Sequence, residues 1–145
     1  MSARHTDGFE VTTDLARIDL GLVHHWLSTD AHWALGRTRA TVETAAAHSL
    51  NFGVVDADGR LHGYARVVTD HTTFAWLCDV YVGPSSRGRG LGTLLVDRVL
   101  EVLAPLHVKR TLLVTMTAPE LYARAGFAPL VHPETWMMLT DPTTA

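Results

Sequence analysis

Cysteine is almost absent from this chain of 145 residues, which contains Cys78 alone. A single thiol cannot close an internal disulfide, so we expect a reducing, cytoplasmic location. No apolar run reaches the roughly 18 residues that suggest a membrane span, and the first eight residues contain no apolar core of a signal peptide. We therefore expect neither a membrane segment nor a secretory leader.

Positive charge and metal-ligand spacings are also scarce. The formal net charge is −3, which argues against nucleic acid as a main partner. The nine histidines lack a close-set ligand pattern such as His-x-x-x-His, so no metal site is expected. What remains is the composition of a packed globule, with 47% apolar and 19% charged residues. At this length we expect a single domain over 1–145, with frayed ends at 1–8 and 141–145.

The hydrophobic pattern predicts the element order β-α-α-β-β-β-α-β-α-β-β. Strands are expected at 9–12, 51–55, 61–69, 74–82 and 111–114, with a closing hairpin of 127–131 and 135–139. Helices are expected from the N-cap Asp14 to about Trp26, over 40–48, after Gly90 and from Pro119. This order indicates an α/β fold, an α+β mixed sheet with helices on both faces.

The most informative segment follows the strand 74–82 and reads Arg87-Gly88-Arg89-Gly90-Leu91-Gly92. Glycine permits a sharp turn and close approach of a ligand, and a helix N-terminus offers free N–H groups and partial positive charge. The arginines add cations suited to phosphate oxygens. The segment lacks the lysine of a Walker A loop and the spacing of a dinucleotide fingerprint. It therefore predicts a diphosphate site of another kind, with an ordinary glycine turn as the alternative.

The stretch from Val80 to Gly92 resembles the coenzyme A loop of the GNAT superfamily of N-acetyltransferases, Gln/Arg-x-x-Gly-x-Gly/Ala after a valine-rich strand. The later stretch from Leu121 to Phe127 is similar to the Leu-Tyr-x-x-x-Gly-Phe segment of the same family. Together they resemble a small single-domain bacterial GNAT protein. The resemblance implies the acyl-CoA N-acyltransferase fold and transfer of acetyl from acetyl-CoA to a primary amine of a small molecule or peptide. Relatives often dimerise through their C-terminal strands, so a homodimer is compatible with it.

The resemblance also implies which residues hold the cofactor. Diphosphate would bind the backbone N–H groups of Gly88, Arg89, Gly90, Leu91, Gly92 and Thr93, with charge from Arg87 or Arg89. Pantetheine would pair with the strand at Val80, Tyr81 and Val82, and the Val80 N–H would stabilise the oxyanion. The two valines are equally expected as core residues, since backbone and side chain can act separately.

Tyr122 matches the family tyrosine that returns a proton to the leaving thiolate. A phenol is protonated at neutral pH and can act as that acid. Packing against Leu121 and Phe127 is the alternative. Many relatives carry glutamate as base where Cys78 stands here, so the base could be Asp79, a water chain or no fixed group. Cys78 is expected as a small core residue rather than a nucleophile, since apolar surroundings raise a thiol pKa.

Asp79 is the exception in an apolar strand. If 70–73 form the turn, Thr69 faces Phe74, which sets Tyr64 opposite Asp79 and predicts that Tyr64, Arg66, Asp79 and Tyr81 share one face. Asp79 is then either an amine-binding proton acceptor with a pKa raised by burial, or the partner of Arg66 in a structural ion pair.

The wall for the acceptor amine is expected from the first two helices. The segment 32–37 resembles the Trp-Ala-x-Gly-Arg turn of a group of small bacterial GNAT proteins, and Trp33 could line an amine pocket. Candidate substrate contacts are Trp33, Tyr64, Arg66 and Asp79. Two other functions stay open, a non-catalytic acyl-CoA-binding module and an acetyltransferase of protein lysines or N-termini.

Overall fold

The computed structural model describes residues 8–143. Within them a single sheet of five strands is ordered as in the chain: β1 Glu10–Thr12, β2 Leu50–Val55, β3 Leu61–Thr69, β4 Phe74–Val82 and β5 Arg110–Leu112. Strands β1 to β4 are antiparallel, and β5 joins β4 in parallel. The helices are α1 Leu20–Asp30, α2 Arg39–Ala47, α3 Leu91–Leu103 and α4 Pro119–Arg124. The predicted mixed sheet is confirmed.

Two hydrophobic clusters cover the two faces of the sheet. On one face, α3 packs Leu95 and Val99, both fully buried, against a cluster that includes Phe52 of β2. On the other face, α1 packs Trp26 against a cluster that includes Tyr81 of β4. The strand β4 thus has helices on both sides, which explains its nearly continuous apolar sequence.

The first predicted helix is wrong in its extent, because two aspartates cap two separate elements. Asp14 accepts a hydrogen bond from the Ala16 N–H and starts a single 3-10 turn, Leu15–Arg17. Ile18 then has extended backbone angles, and Asp19 accepts from the Leu22 N–H at the start of α1. Each carboxylate satisfies an N–H group that a helix start leaves free.

The predicted closing hairpin of 127–131 and 135–139 does not form. The segment contains no strand, and apolar side chains such as Val131, Met137 and Leu139 are 86–98% exposed. Pro129 lies inside the first predicted strand, and Pro133 starts a 3-10 turn. Proline removes a ladder donor, so alternating apolar residues are insufficient to form a strand there. Of the predicted frayed ends, 1–7 and 144–145 lie outside the described residues.

The predicted register of β3 and β4 is also wrong. Thr69 pairs with Ala75 rather than with Phe74, and the Phe74 N–H donates to Asp70 Oδ1 in the turn. Further along, the register shifts again between Arg66 and Tyr64, which marks a β-bulge in β4.

Candidate functional site

The strands β4 and β5 separate after a short contact, and a cleft opens between them. Pairing covers Phe74 to Trp76 on β4 and Arg110 to Leu112 on β5. Beyond these pairs a cavity of about 790 Å³ is lined by β4 from Cys78 to Val82 and by residues 113–118. Neighbouring strands normally lie about 4.8 Å apart, so this separation exposes the edge of β4 to a ligand.

The β-bulge in β4 lies beside the cleft. Arg66 pairs with Cys78 and Tyr64 pairs with Tyr81, so Asp79 and Val80 together face one residue of β3. Asp79 has a φ of 53°, in the left-handed region. A bulge interrupts the hydrogen-bond ladder and redirects a side chain, and aspartate tolerates this backbone conformation. Asp79 and Val80, the two residues of the bulge, both line the cleft.

The predicted diphosphate segment forms the N-terminus of α3. Gly88 and Gly90 have φ values of 82° and 76°, and Gly90 is the N-cap without a side-chain hydrogen bond. A Cβ atom placed on either glycine would have no atom within 4 Å, so the space around both is open. The free N–H groups of the first helical turn are thus accessible to an anion.

The two arginines of this segment differ in their surroundings. The Arg87 Nε donates to the Val82 carbonyl at 3.0 Å, and Nη2 lies 3.3 Å from Asp30 Oδ2. The Arg87 side chain also lines the cleft, together with Gly92. The Arg89 guanidinium instead lies 5.8 Å from the ring centre of Phe9. Of the two, Arg87 is thus the cation at the cleft.

Tyr122 lies on α4 and lines the cleft opposite β4. It is 9% exposed, and its ring contacts Phe127 edge to face with centres 6.0 Å apart. Burial raises the pKa of the Tyr122 phenol above its usual value, so the group stays neutral at physiological pH. The packing role is therefore observed, and the hydroxyl-bearing side chain also belongs to the cleft wall.

Asp79 is a buried carboxylate with three donors. Its Oδ1 accepts from Trp33 Nε1 at 2.9 Å, and its Oδ2 accepts from Arg37 Nη1 at 2.8 Å and Arg66 Nε at 2.9 Å. Burial raises the pKa of Asp79, but the charges of Arg66 and Arg37 and the hydrogen bonds outweigh it and lower the pKa below its usual value. Of the two alternatives for Asp79, the ion pair with Arg66 is observed, and a pKa raised by burial is not.

The remaining predicted acceptor residues separate into two groups. Trp33, Arg66 and Asp79 line the cleft together. Tyr64 shares their sheet face but is 1% exposed, and its hydroxyl donates to Asn51 Oδ1 at 2.5 Å, so it is a core residue outside the cleft wall. Cys78 lines the cleft, where burial raises its thiol pKa to about 11 and keeps it neutral.

Two contacts at the site were not predicted from the sequence. Arg37 reaches Asp79 because Gly36, with a φ of 77°, ends the turn after α1. The Trp-Ala-x-Gly-Arg pattern was the available signal. Asp30 at the end of α1 accepts a hydrogen bond from the Tyr81 hydroxyl at 2.5 Å in addition to its contact with Arg87.

A third contact that the sequence did not predict supports the loop before α3. The His62 Nδ1 lies 2.6 Å from Ser86 Oγ, and its Nε2 lies 2.9 Å from Asp56 Oδ2. Hydrogen bonding to His62 is the main cause of the lowered pKa of Asp56. Ser86 is 3% exposed and does not line the cleft, which excludes a nucleophilic triad facing the substrate. The contact instead holds the residue next to Arg87.

No group of three or more histidine, cysteine, aspartate or glutamate side chains in residues 8–143 is arranged to hold a metal ion. In the same range, every helix is too short or too polar to cross a membrane.

The fold and the cleft match one known class of proteins. The family model described as Acetyltransferase (GNAT) family matches residues 20–127, from the start of α1 to three residues beyond the end of α4. The chain therefore belongs to the GNAT acetyltransferase family.

One solved structure agrees with this assignment, and a more distant one shares the fold. A GNAT-family structure from Xanthomonas campestris pv. campestris is 40% identical, with a TM-score of 0.88 over 95% of this chain and 96% of that one. N-acetylglutamate synthase from Neisseria gonorrhoeae, solved with coenzyme A and N-acetyl-glutamate, has the same fold at 17% identity, with a TM-score of 0.69 over 87% of this chain and 30% of that one.

A curated relative matches over a shorter region. L-2,4-diaminobutyric acid acetyltransferase from Nocardia farcinica (strain IFM 10152) is 39% identical over 71 residues, which are 46% of this chain and 35% of that protein. The match thus spans about a third of that relative's length.

Proposed function

We propose that this protein transfers the acetyl group of acetyl-CoA to a primary amine of a small molecule or peptide. The observation that carries the proposal is one cleft that connects the N-terminal side of α3, at Arg87 and Gly92, with Tyr122 and Asp79. A phosphate-binding end and an end with proton-transfer and acceptor-binding groups are what acetyl transfer requires. Membership of the GNAT family supports the same reaction.

The open glycine positions fit coenzyme A. Backbone N–H groups of 88–93 would hold the diphosphate, because side chains at Gly88 and Gly90 would occupy the space that is open there. Arg87 would add charge, and the edge of β4 at Val80, Tyr81 and Val82 would hold the pantetheine arm. Acetyl-CoA supplies an acetyl group activated as a thioester.

Two groups of the chain would act on the reacting atoms. The Val80 N–H, next to the bulge, would donate to the carbonyl oxygen as negative charge develops there, a contribution of about 3 kcal/mol in comparable sites. The Tyr122 phenol, kept neutral by burial, would donate its proton to the departing sulfur and recover it from solvent.

We assign Asp79 to positioning rather than to proton transfer. Both of its oxygens accept hydrogen bonds, and its lowered pKa makes it a weak base. Its three donors fix Trp33, Arg37 and Arg66 at the acceptor side of the cleft. We therefore infer that the proton of the amine leaves to solvent in the cleft.

The test is free-thiol release from acetyl-CoA with a panel of primary amines. Tyr122→Phe should lower kcat by about a hundredfold or more while the Kd for coenzyme A stays unchanged. Tyr64→Phe removes the same hydroxyl outside the cleft and should leave kcat of the folded protein unchanged. Absence of both thiol release and coenzyme A binding would disprove the function. Coenzyme A binding without release for any amine or protein would instead indicate an acyl-CoA-binding module.

A further inference from the structure

The acceptor end of the cleft has an excess of positive charge. The acceptor end is the part of the cleft that is lined by Trp33, Arg37, Arg66, Cys78 and Asp79. It contains two guanidinium groups and one carboxylate, since the Cys78 thiol is neutral with a pKa of about 11. Elsewhere in the cleft wall Arg87 is paired with Asp30, and Asp30 and Asp79 are the carboxylates among the described residues that line the cleft. One positive charge therefore has no counterpart among the described residues of the wall.

Of the two guanidinium groups, that of Arg37 has more N–H donors that make no hydrogen bond within the described residues. A guanidinium has five N–H donors, and Asp79 accepts from Arg37 Nη1. Among the described residues 8–143, the Arg37 side chain makes no hydrogen bond other than this one. More of the donors of Arg66 are occupied, because its Nε donates to Asp79 and its Nη1 also donates to Ser49 Oγ at 3.1 Å. The Arg37 side chain is 21% exposed and lines the cleft, so its remaining donors are accessible to a ligand.

The position of Arg37 is set before any ligand binds. Asp79 anchors Nη1 at 2.8 Å, and the backbone N–H of Arg37 donates to the Ala34 carbonyl at 3.0 Å. A guanidinium held in this way loses little side-chain freedom on binding an anion. Its planar set of donors matches the two oxygens of a carboxylate.

We propose that the acceptor is an amine that also carries a carboxylate, such as an amino acid, and that Arg37 binds this carboxylate while Arg66 adds charge. The inference rests on the proposed acetyl transfer and names the substrate class of the same cleft. The positive charge also disfavours polyamines and lysines of basic peptides, because a second cation would be repelled.

The first test uses the unmodified protein and matched acceptors. A set of amino acids is compared with the corresponding primary amides, which keep the amine and lose the negative charge. The rates are divided by the fraction of each amine that is unprotonated at the pH of the assay. The carboxylates should have kcat/KM values on the order of tenfold or more above those of the amides. Equal or higher values for the amides would overturn the inference and leave acetyl transfer intact.

Binding provides a readout that does not depend on turnover. Calorimetry in the presence of coenzyme A should show tighter binding of N-acetyl amino acids than of their amides, by a similar factor. Equal binding, or no binding of either, would overturn the inference. Failure of coenzyme A itself to bind would instead contradict the proposed function.

The second test changes Arg37. Arg37→Gln should raise KM for carboxylate acceptors on the order of tenfold, abolish the preference over amides and leave KM for acetyl-CoA unchanged. Arg37→Lys should keep part of the preference. Arg39→Gln, at an exposed ion pair with Glu43, is the matched control and should behave like the wild type. If Arg37 only supported the fold, both members of each acceptor pair would be affected equally.

Discussion

Trp33 donates its indole N–H to Asp79 Oδ1 at 2.9 Å, although the residues are 46 positions apart in the chain. The bond joins the turn after α1 to the bulge in β4, so the wall of the cleft and its central strand are fixed to each other. Trp33 is nevertheless 44% exposed. An exposed ring with a fixed orientation is suited to contact a ligand, because little freedom is lost on binding.

Replacement of Asp79 should destabilise the protein. Asp79→Asn leaves the guanidiniums of Arg37 and Arg66 without their counter-charge, and we expect the free energy of unfolding to fall by about 3 kcal/mol at pH 7. Urea unfolding would measure the loss. Asp58→Asn, at an exposed turn position, is the control and should change the value by less than about 0.5 kcal/mol.

The same variant should change the pH dependence of stability. The folded-state pKa of Asp79 is lowered, so its stabilising contribution is complete above the ordinary carboxyl pKa of about 3.9 and is lost as the pH falls through the folded value. The difference between wild type and Asp79→Asn should therefore shrink as the pH falls below about 4. A difference that stays constant over this range would contradict the ion-pair assignment.

A side chain at the N-cap of α3 should block the cofactor. In Gly90→Val the left-handed φ of 76° costs about 1–2 kcal/mol of stability, while the new side chain enters open space. We expect the Kd for coenzyme A to rise more than tenfold, measured by calorimetry on folded protein. Gly59→Val has the matching φ of 83° and equal space in the β2–β3 turn. It should lose similar stability and bind normally; equal Kd values for the two variants would contradict the diphosphate assignment.

The contact between His62 and Ser86 should affect cofactor binding more than chemistry. His62→Gln removes the support of Ser86, and we expect KM for acetyl-CoA to rise on the order of fivefold while kcat stays unchanged. Steady-state kinetics with saturating amine would show this split. His48→Gln, exposed at the end of α2, is the control. A fall in kcat with unchanged KM would argue against a positioning role.

The sequence predicts the parts of this structure that depend on local pattern. The helix after Gly90 and the strands before it follow from apolar spacing and glycine position, and the same segment indicates the diphosphate site. The sequence also indicated the ion pair of Arg66 with Asp79 as one alternative, although the predicted register was wrong, because both residues were expected on one face of the sheet.

The missed features depend on contacts between distant segments. The bulge requires knowledge of which residues of β3 and β4 actually pair, and alternation alone cannot reveal it. Arg37 lies in the turn after α1 and not in the sheet, so counting residues along paired strands cannot predict its contact with Asp79. The closing hairpin failed for the opposite reason. Its pattern is local, but Pro129 removes a donor that pairing requires, and Pro133 starts a 3-10 turn between the two predicted strands.

Because of the bulge at Asp79, the site depends on the number of residues in β4 as well as on their identity. Deletion of one residue between Cys78 and Val80 would restore regular alternation and align β4 with β3 throughout. The carboxylate that anchors three side chains would disappear, together with the irregular backbone beside Val80. We therefore expect the site to tolerate many residue exchanges along this strand, but no insertion or deletion within it.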